Sequence, residues 1–397
     1  MQETIVCISQ PSFTSVNRTV YRKLKQKNWD IQLVAPSQLD FPGGRKNADK
    51  VLNEDPPMHF LELESGNPRL QLYKGLLLLL DKLKPGIVYL DNDPVSRMAM
   101  QVGTWCKLNN AKFICQSCEN LSIKLSSVFQ REGIKGIPAA LVKNYFRFRT
   151  TKLCSHVFVI NNDGEKIFRE LGYRSVSKTP LGFDDRIFYP DENSRNAIRT
   201  EKSLTKTVFS YFGRLVPEKG VHLFLNALAQ IKDLGWQLLM DDFEAYATGY
   251  TAEIRKQIEV LGLQDKVIYF HASHTEIGKY MNAADVVVLA SISTPKWKEQ
   301  YGRVIPEAMA CGRLVVVARS GALPELAGDA GIVFEEGDVE GLVNILRDII
   351  VHPASYTAYH EKASRRAHSL LSVTSQADIL DKKFRELLNE NPVTNNQ

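Results

Sequence analysis

Two carboxylates are separated by seven residues in Glu299-Gln-Tyr-Gly-Arg-Val-Ile-Pro-Glu307, and two cations share the stretch Tyr211-Phe-Gly-Arg-Leu-Val-Pro-Glu-Lys-Gly220. In the second stretch Arg214 offers a fork-shaped guanidinium and Lys219 a point charge, on a loop that Gly213 turns out of a strand. That combination suits a diphosphate. The plainer alternative is a pair of solvated basic residues after a strand. In the first stretch Glu307 falls in the opening turns of a helix, where the dipole favours a negative charge, and Glu299 in the loop before it. A helix-start glutamate beside a solvated one explains that pattern too, and the stretch alone leaves both readings open.

The flanking elements restrict the geometry. β-branched runs at 285–289 and 313–318 read as buried strands, so the chain between them must turn, form a helix and return. Pro306 is tolerated only in a first helical turn, and Gly312 follows Ala308-Met-Ala-Cys311 where a left-handed cap would fall. The spacing predicts a helix over about 303–311. Loop 290–302 then lies at the carboxyl end of a parallel strand, facing a helix N-terminus, where α/β proteins bind anions.

The chain's 397 residues suffice for two domains. A hydrophobic fraction of 44% and a charged fraction of 24% are those of a folded protein, and a net charge of +5 favours an anionic ligand or membrane surface over nucleic acid. No run approaches the length needed to span a bilayer, and no signal peptide is read at the start, so the expectation is cytoplasmic. The six cysteines fit a reduced compartment, and Cys115 and Cys118 lack a second pair that would make a zinc site.

Strands and helices alternate through the first half, with strands at 4–9, 31–35, 87–90, 112–115 and 156–160 and helices at 19–27, 70–83, 95–107 and 141–152. This predicts a parallel sheet covered on both faces. Segment 41–57, with Gly43-Gly44 and several prolines, reads as a loop. Turn-rich 179–190 and polar 191–207 form the best linker. The pattern restarts at 208–212 and ends in a long helical stretch over 354–389. No Gly-x-x-x-x-Gly-Lys-Ser/Thr string occurs, which excludes a P-loop.

At this point several motifs agree in order. Glu299-x7-Glu307 with Tyr301-Gly302 inside it, Gly213-Arg214 followed by Glu218-Lys219-Gly220, Gly321-Ala-Leu-Pro-Glu325, and Gly182-Phe-Asp184 with Phe188-Tyr-Pro190 together resemble family-4 retaining glycosyltransferases of the GT-B fold. The likeness is strong over 155–351 and weak before it. It implies an α/β protein of two Rossmann-like domains facing each other across a cleft: an acceptor domain over 1–190, with a helix at about 375–397 packing back on it, and a nucleotide-sugar domain over 191–374.

The resemblance also implies roles. Arg214 and Lys219 would hold the donor's diphosphate, Glu299 the hydroxyls of the transferred sugar and Glu307 those of the ribose. Gly213, Gly302, Arg303, Val304 and Ile305 would present backbone to the nucleotide sugar. No metal and no cofactor is implied. The donor would be a UDP or GDP sugar and the acceptor a glycan or lipid-linked sugar, as in polysaccharide biosynthesis. Alternatives are an epimerase or phosphorylase of the same fold, or a silent nucleotide-sugar-binding subunit. Glycoside hydrolysis also uses two carboxylates, but it leaves Arg214 and Lys219 unexplained.

The first domain departs from the family pattern. Gln10-Pro-Ser-Phe-Thr-Ser-Val-Asn17 lacks the usual Gly-Gly turn, and Gln116-Ser-Cys-Glu-Asn120 replaces a histidine, which makes Glu119 or Asn120 the candidate on the acceptor or sugar side. A glycine turn expected after 237–240 is replaced by Asp241-Asp-Phe-Glu-Ala245. Asp91-Asn-Asp93 imitates the metal-binding Asp-x-Asp of the other glycosyltransferase fold. Finally, 135–152 interleaves basic and aromatic residues. An ordinary helix packing its apolar stripe on the sheet is the plainer reading, and contact with an anionic membrane the other.

Overall fold

The computed structural model describes residues 3–41, 44–64, 67, 69–242 and 249–389. The chain divides into two compact units, Met1–Gly182 with Val373–Gln397, and Phe183–Ser372.

The first unit contains, in order, β1 (Thr4–Ser9), α1 (Thr19–Gln26), β2 (Asp30–Pro36), β3 (Gln38–Phe41), β4 (Gly44–Asn47), β5 (Met58–Leu61), α2 (Leu76–Leu83) and β6 (Ile87–Asp91). It continues with α3 (Arg97–Leu108), β7 (Lys112–Ser117), α4 (Leu125–Glu132), α5 (Ile137–Thr150), β8 (His156–Val159), α6 (Asn162–Glu170) and β9 (Val176–Lys178). Seven strands form one parallel sheet in the order β5-β2-β1-β6-β7-β8-β9.

Strand β1 shows why its run is apolar throughout. Side chains alternate across a strand, and both faces of this sheet are covered. Ile5 and Cys7 join Tyr21 and Leu24 of α1, whereas Val6 and Ile8 join Leu76 and Leu80 of α2 and Val102 of α3. The first of these faces is completed from the far end of the chain by α15 (Val373–Asn389), whose Leu380, Phe384 and Leu387 are buried there. Phe384 meets Trp29 edge-on at 6.1 Å, and Trp29 Nε1 donates to Asp381 at 2.7 Å.

The second unit contains α7 (Glu192–Glu201), β10 (Thr207–Tyr211), α8 (Val221–Ala229), β11 (Trp236–Asp241), α9 (Gly249–Val260), β12 (Val267–Phe270) and α10 (Ile277–Ala283). Then come β13 (Val286–Leu289), α11 (Val304–Ala310), β14 (Leu314–Ala318), α12 (Leu323–Ala327), β15 (Ile332–Phe334), α13 (Val339–Val351) and α14 (Thr357–Arg366). Its six parallel strands run β12-β11-β10-β13-β14-β15. Each unit is thus a doubly wound Rossmann-like layer structure.

Several elements differ from the sequence reading. The segment read as a loop over 41–57 begins in the antiparallel hairpin β3–β4, with Leu39 opposite Lys46; residues 42 and 43 lie outside the described residues. Its strands are exposed, so no apolar alternation announces them. Polar 191–207, read as linker, holds α7 inside the second unit. Asp191 caps that helix by accepting from the Asn193 and Ser194 N–H groups, and Arg195 and Arg199 pair with Asp285. Burial opposes the charge on Asp285, but Arg195, the Val208 N–H and Arg199 outweigh it and hold the carboxyl below its ordinary range. A charged helix can therefore be fixed by ion pairs rather than by an apolar stripe.

The predicted C-terminal helix is broken as well. After α14 comes a wide turn, Ala367–Leu371, and extended Ser372 bridges Phe183 before α15 begins.

Candidate functional site

In the second unit the sheet order reverses between β10 and β13: β11 continues to one side of β10 while β13 and β14 lie on the other. Loops leaving the carboxyl ends of such neighbours diverge, and the crevice between them is where open α/β sheets bind ligands. Arg214 and Lys219 follow β10, and Glu299 and the start of α11 follow β13.

The two loops are joined directly. The Ile292 N–H donates to Glu218 O at 2.8 Å, and Tyr211 Oη donates to Arg214 O at 2.6 Å, closing the turn after β10. Lys219 Nζ lies 2.6 Å from Glu299 Oε2, which also accepts from Ser291 Oγ at 3.0 Å. The two side chains are 16% and 6% exposed, so the pair is largely out of water. Lys219 Nζ also stands 5.6 Å over the Trp297 ring. The cation and carboxylate that the sequence suggested separately are therefore one ion pair, while Arg214 is exposed.

Close backbone approach holds this arrangement. A Cβ on Gly220 would come within 1.8 Å of Ala290 O, and one on Gly321 within 1.9 Å of Glu299 O. The Ala322 N–H donates to that same Glu299 oxygen at 3.1 Å. Gly321→Ala therefore has to displace the Glu299 backbone. It is expected to lower the melting midpoint and weaken binding of any ligand held in this crevice, with a cost of about 1–3 kcal/mol from overpacking. Gly337→Ala, at φ 77° with open space around it, adds conformational strain without the clash and should leave binding unchanged. Thermal unfolding and ligand titration of both variants check this.

Gly302, Arg303, Val304 and Ile305 form the entry to α11, where the Ile305 N–H donates to Gly302 O at 2.9 Å. Glu307 projects from the first turn with its side chain 12% exposed and Arg303 Nε at 4.0 Å. Burial pushes its carboxyl up to about 7, with Arg303 opposing the shift. A carboxyl in that position can take up hydroxyl donors at neutral pH without first breaking an intimate ion pair. Gly213 sits at the β10 turn, and Ser293 and Ser320 border the crevice, Ser293 Oγ donating to Glu336 Oε1 at 2.6 Å.

Glu119 and Asn120 belong to the first unit, at the carboxyl end of β7. Glu119 and Asp93 both pair with Arg69. Burial and the nearby Asp93 raise the Glu119 carboxyl, against the pull of Arg69. Asn120 is buried. Asp91, the other half of the Asp-x-Asp imitation, turns inward and accepts from Ser9 Oγ at 2.8 Å and from Gln116 Nε2 at 3.1 Å. The two aspartates thus face different partners. In place of the missing glycine turn, the loop after β1 is held by Arg18, whose fully buried guanidinium meets Asp55 at 2.9 Å and donates to the Ser12 and Asp49 carbonyls. Of the stretch replacing the glycine turn after β11, Asp241 and Asp242 are described, and burial pushes Asp241 up to about 6; residues 243–245 lie outside the described residues.

Sequence reasoning missed Ser291, Glu336 and Arg69. Each is an ordinary polar residue whose partner is at least eight positions away, so only folding reveals the contact.

Residues 193–366 match the family model described as glycosyl transferases group 1. Over these residues, somewhat under half of its length, the chain is similar to glycosyl transferases group 1. The group 1 region contains every residue of the second-unit crevice. A lipopolysaccharide core biosynthesis mannosyltransferase, LpcC, of Rhizobium leguminosarum bv. viciae is 24% identical over 215 residues, covering 53% of this chain and 59% of that protein. The chain spans about half the length of the curated relatives it matches.

Among solved structures, a glycosyltransferase from Rickettsia africae superposes with a TM-score of 0.76 at 17% identity, covering 98% of this chain and all of that one. Anabaena HepE in complex with UDP and glucose gives 0.69 at 19% identity, covering 97% of this chain and 100% of that one. At these identities the likeness establishes the fold alone, GT-B.

Proposed function

We propose that the chain is a family-4-type retaining glycosyltransferase that moves a sugar from a nucleoside-diphosphate sugar of the UDP or GDP type to a hydroxyl of a glycan or lipid-linked acceptor, without a metal ion or other cofactor. The observation that carries this reading is the Lys219–Glu299 ion pair at 2.6 Å, stitched between the loops that diverge at the β10/β13 switch point. The mannosyltransferase relative and the UDP- and glucose-bound neighbour support a donor of this class.

Each group then has a task. As the bond from the anomeric carbon to the diphosphate oxygen breaks, negative charge gathers on the leaving group. Lys219 and Arg214 stabilise it, and preorganised cations in a dry site do this without reorganising. Glu299, fixed by Lys219 and Ser291, accepts hydroxyls of the sugar. Glu307 accepts those of the ribose. The acceptor hydroxyl attacks from the face the diphosphate leaves and passes its proton to a phosphate oxygen of that leaving group, so configuration is retained.

A thermal-shift series with UDP, GDP and their hexose conjugates tests the binding half. A ligand that binds only the folded state at about 100 times its Kd adds about 2.7 kcal/mol, and at least one nucleotide should raise the melting midpoint accordingly. No shift with any of them refutes the donor site. An NMR assignment of an inverted anomeric centre in the product refutes retention.

A further inference from the structure

Helix α5 faces the wrong way for an ordinary surface helix. Its inward side is Ala140, Phe146 and Thr150, while Leu141, Val142, Tyr145 and Phe148 are 54%, 48%, 55% and 59% exposed. These four positions follow helical spacing, so they form one stripe along the helix. The apolar stripe that the sequence would pack on the sheet points to solvent instead. Phe129 of α4 and Ile134 of the turn between the helices are exposed as well. A contiguous apolar surface of this kind marks an interaction site.

The charge around it is one-sided. Between Lys124 and Lys152 the sequence has seven lysines and arginines and a single acidic residue, Glu132. Lys124 is engaged with Glu170, and Lys152 lies 4.7 Å over the Phe148 ring. Lys135 and Arg149 are exposed and make no ion pair among the described residues, whereas Lys143, on the other side of α5, acts on the Glu119 carboxylate. The stripe also continues into a groove of about 390 Å³ between α2, α3 and α5, where Tyr145 and Arg149 stand with Leu77, Trp105 and Arg97. Apolar depth and cationic rims thus recur together on this side of the first unit.

We propose that this α4–α5 face docks on an anionic lipid bilayer, with Phe148, Tyr145 and Leu141 entering the headgroup–acyl boundary and Lys135 and Arg149 meeting lipid phosphates. Charge complementarity selects that occupant. A second copy of this chain would bring the same basic residues against one another, whereas an anionic membrane supplies both the counter-charge and the apolar layer. The inference stands apart from the transferase reading, since none of these residues belongs to the second-unit crevice.

Flotation of the full chain with vesicles of phosphatidylcholine alone, or with an equal part of phosphatidylglycerol, decides it. Binding to the anionic vesicles is expected, falling as salt is raised. A Leu141→Ser/Phe148→Ser variant should bind on the order of tenfold more weakly, through lost apolar burial. Lys135→Gln/Arg149→Gln should weaken binding by about fivefold per charge. All four positions are exposed, so unfolding midpoints should not move; if the apolar variant unfolds, the charge variant alone decides. Absent binding, equal binding to both vesicle types, or wild-type binding by the variants overturns the proposal. So does sedimentation showing a dimer that the same substitutions dissolve.

Discussion

Lys219→Ala is expected to lower kcat at saturating donor by about 10²–10³-fold, the usual loss when one preorganised donor to a developing anion is removed. Lys219 neutralises Glu299 and faces the crevice where the diphosphate would depart, so the substitution has a structural cost too. A largely buried carboxylate loses its cation, which costs about 3–5 kcal/mol when such a pair is broken from one side. The two effects separate in a second variant. Lys219→Met combined with Glu299→Gln removes both charges and should recover much of the melting midpoint while turnover stays low. Arg214 supplies the complementary case, because it is exposed and makes no buried pair among the described residues. Arg214→Ala should reduce kcat with the midpoint unchanged. Turnover at the wild-type level in both Arg214→Ala and Lys219→Ala would remove the diphosphate role altogether.

The donor should bind more tightly as pH rises through neutrality, and Glu307 should be the reason. Burial holds its carboxyl protonated up to about 7 against an ordinary 4.5. A raised carboxyl of this kind costs the empty fold nothing below its unfolded pKa. Stability is lost as pH climbs through 7, because the folded state must then give up a proton it prefers to keep. Ribose hydroxyls donating to the carboxylate oppose that preference and lower the pKa in the complex. Each unit of lowering is worth about tenfold in affinity. Titration of a nucleoside-diphosphate sugar between pH 6 and 8 should therefore show about a tenfold rise. A nucleotide sugar suits this measurement because its phosphates do not titrate in the window. Glu307→Gln should flatten the profile and raise the melting midpoint of the empty protein at pH 8. A variant that keeps the wild-type slope would show that another group is responsible.

The ion pair and the raised carboxyl were unequally legible. The chemical types of Arg214, Lys219, Glu299 and Glu307 and their positions after strands could be read from the order of residues, because strand, turn and helix signals are local. That Lys219 and Glu299 neutralise each other could not. They are 80 positions apart in the chain, and their contact depends on β10 and β13 being sheet neighbours. The close approach of Gly321 to the Glu299 backbone has the same origin.

The polar elements went furthest astray. Helix α7 was read as a linker because periodicity detects apolar stripes, and this helix is held by Asp285 with Arg195 and Arg199. Hairpin β3–β4 is exposed and has no alternation to detect. Helix α5 erred in the opposite direction: its stripe was visible, but periodicity says only that one face is apolar and not what it faces.

By itself, then, the sequence determined two parallel α/β sheets and the loops that carry the charged residues. Buried β-branched strands and their breakers are local patterns that hold wherever the segment lies. Tertiary structure alone decided which charges neutralise one another, which carboxyl is kept protonated and which apolar face is left to solvent. Pairing, burial and exposure are properties of neighbours brought together from distant parts of the chain, and no stretch of residues contains them.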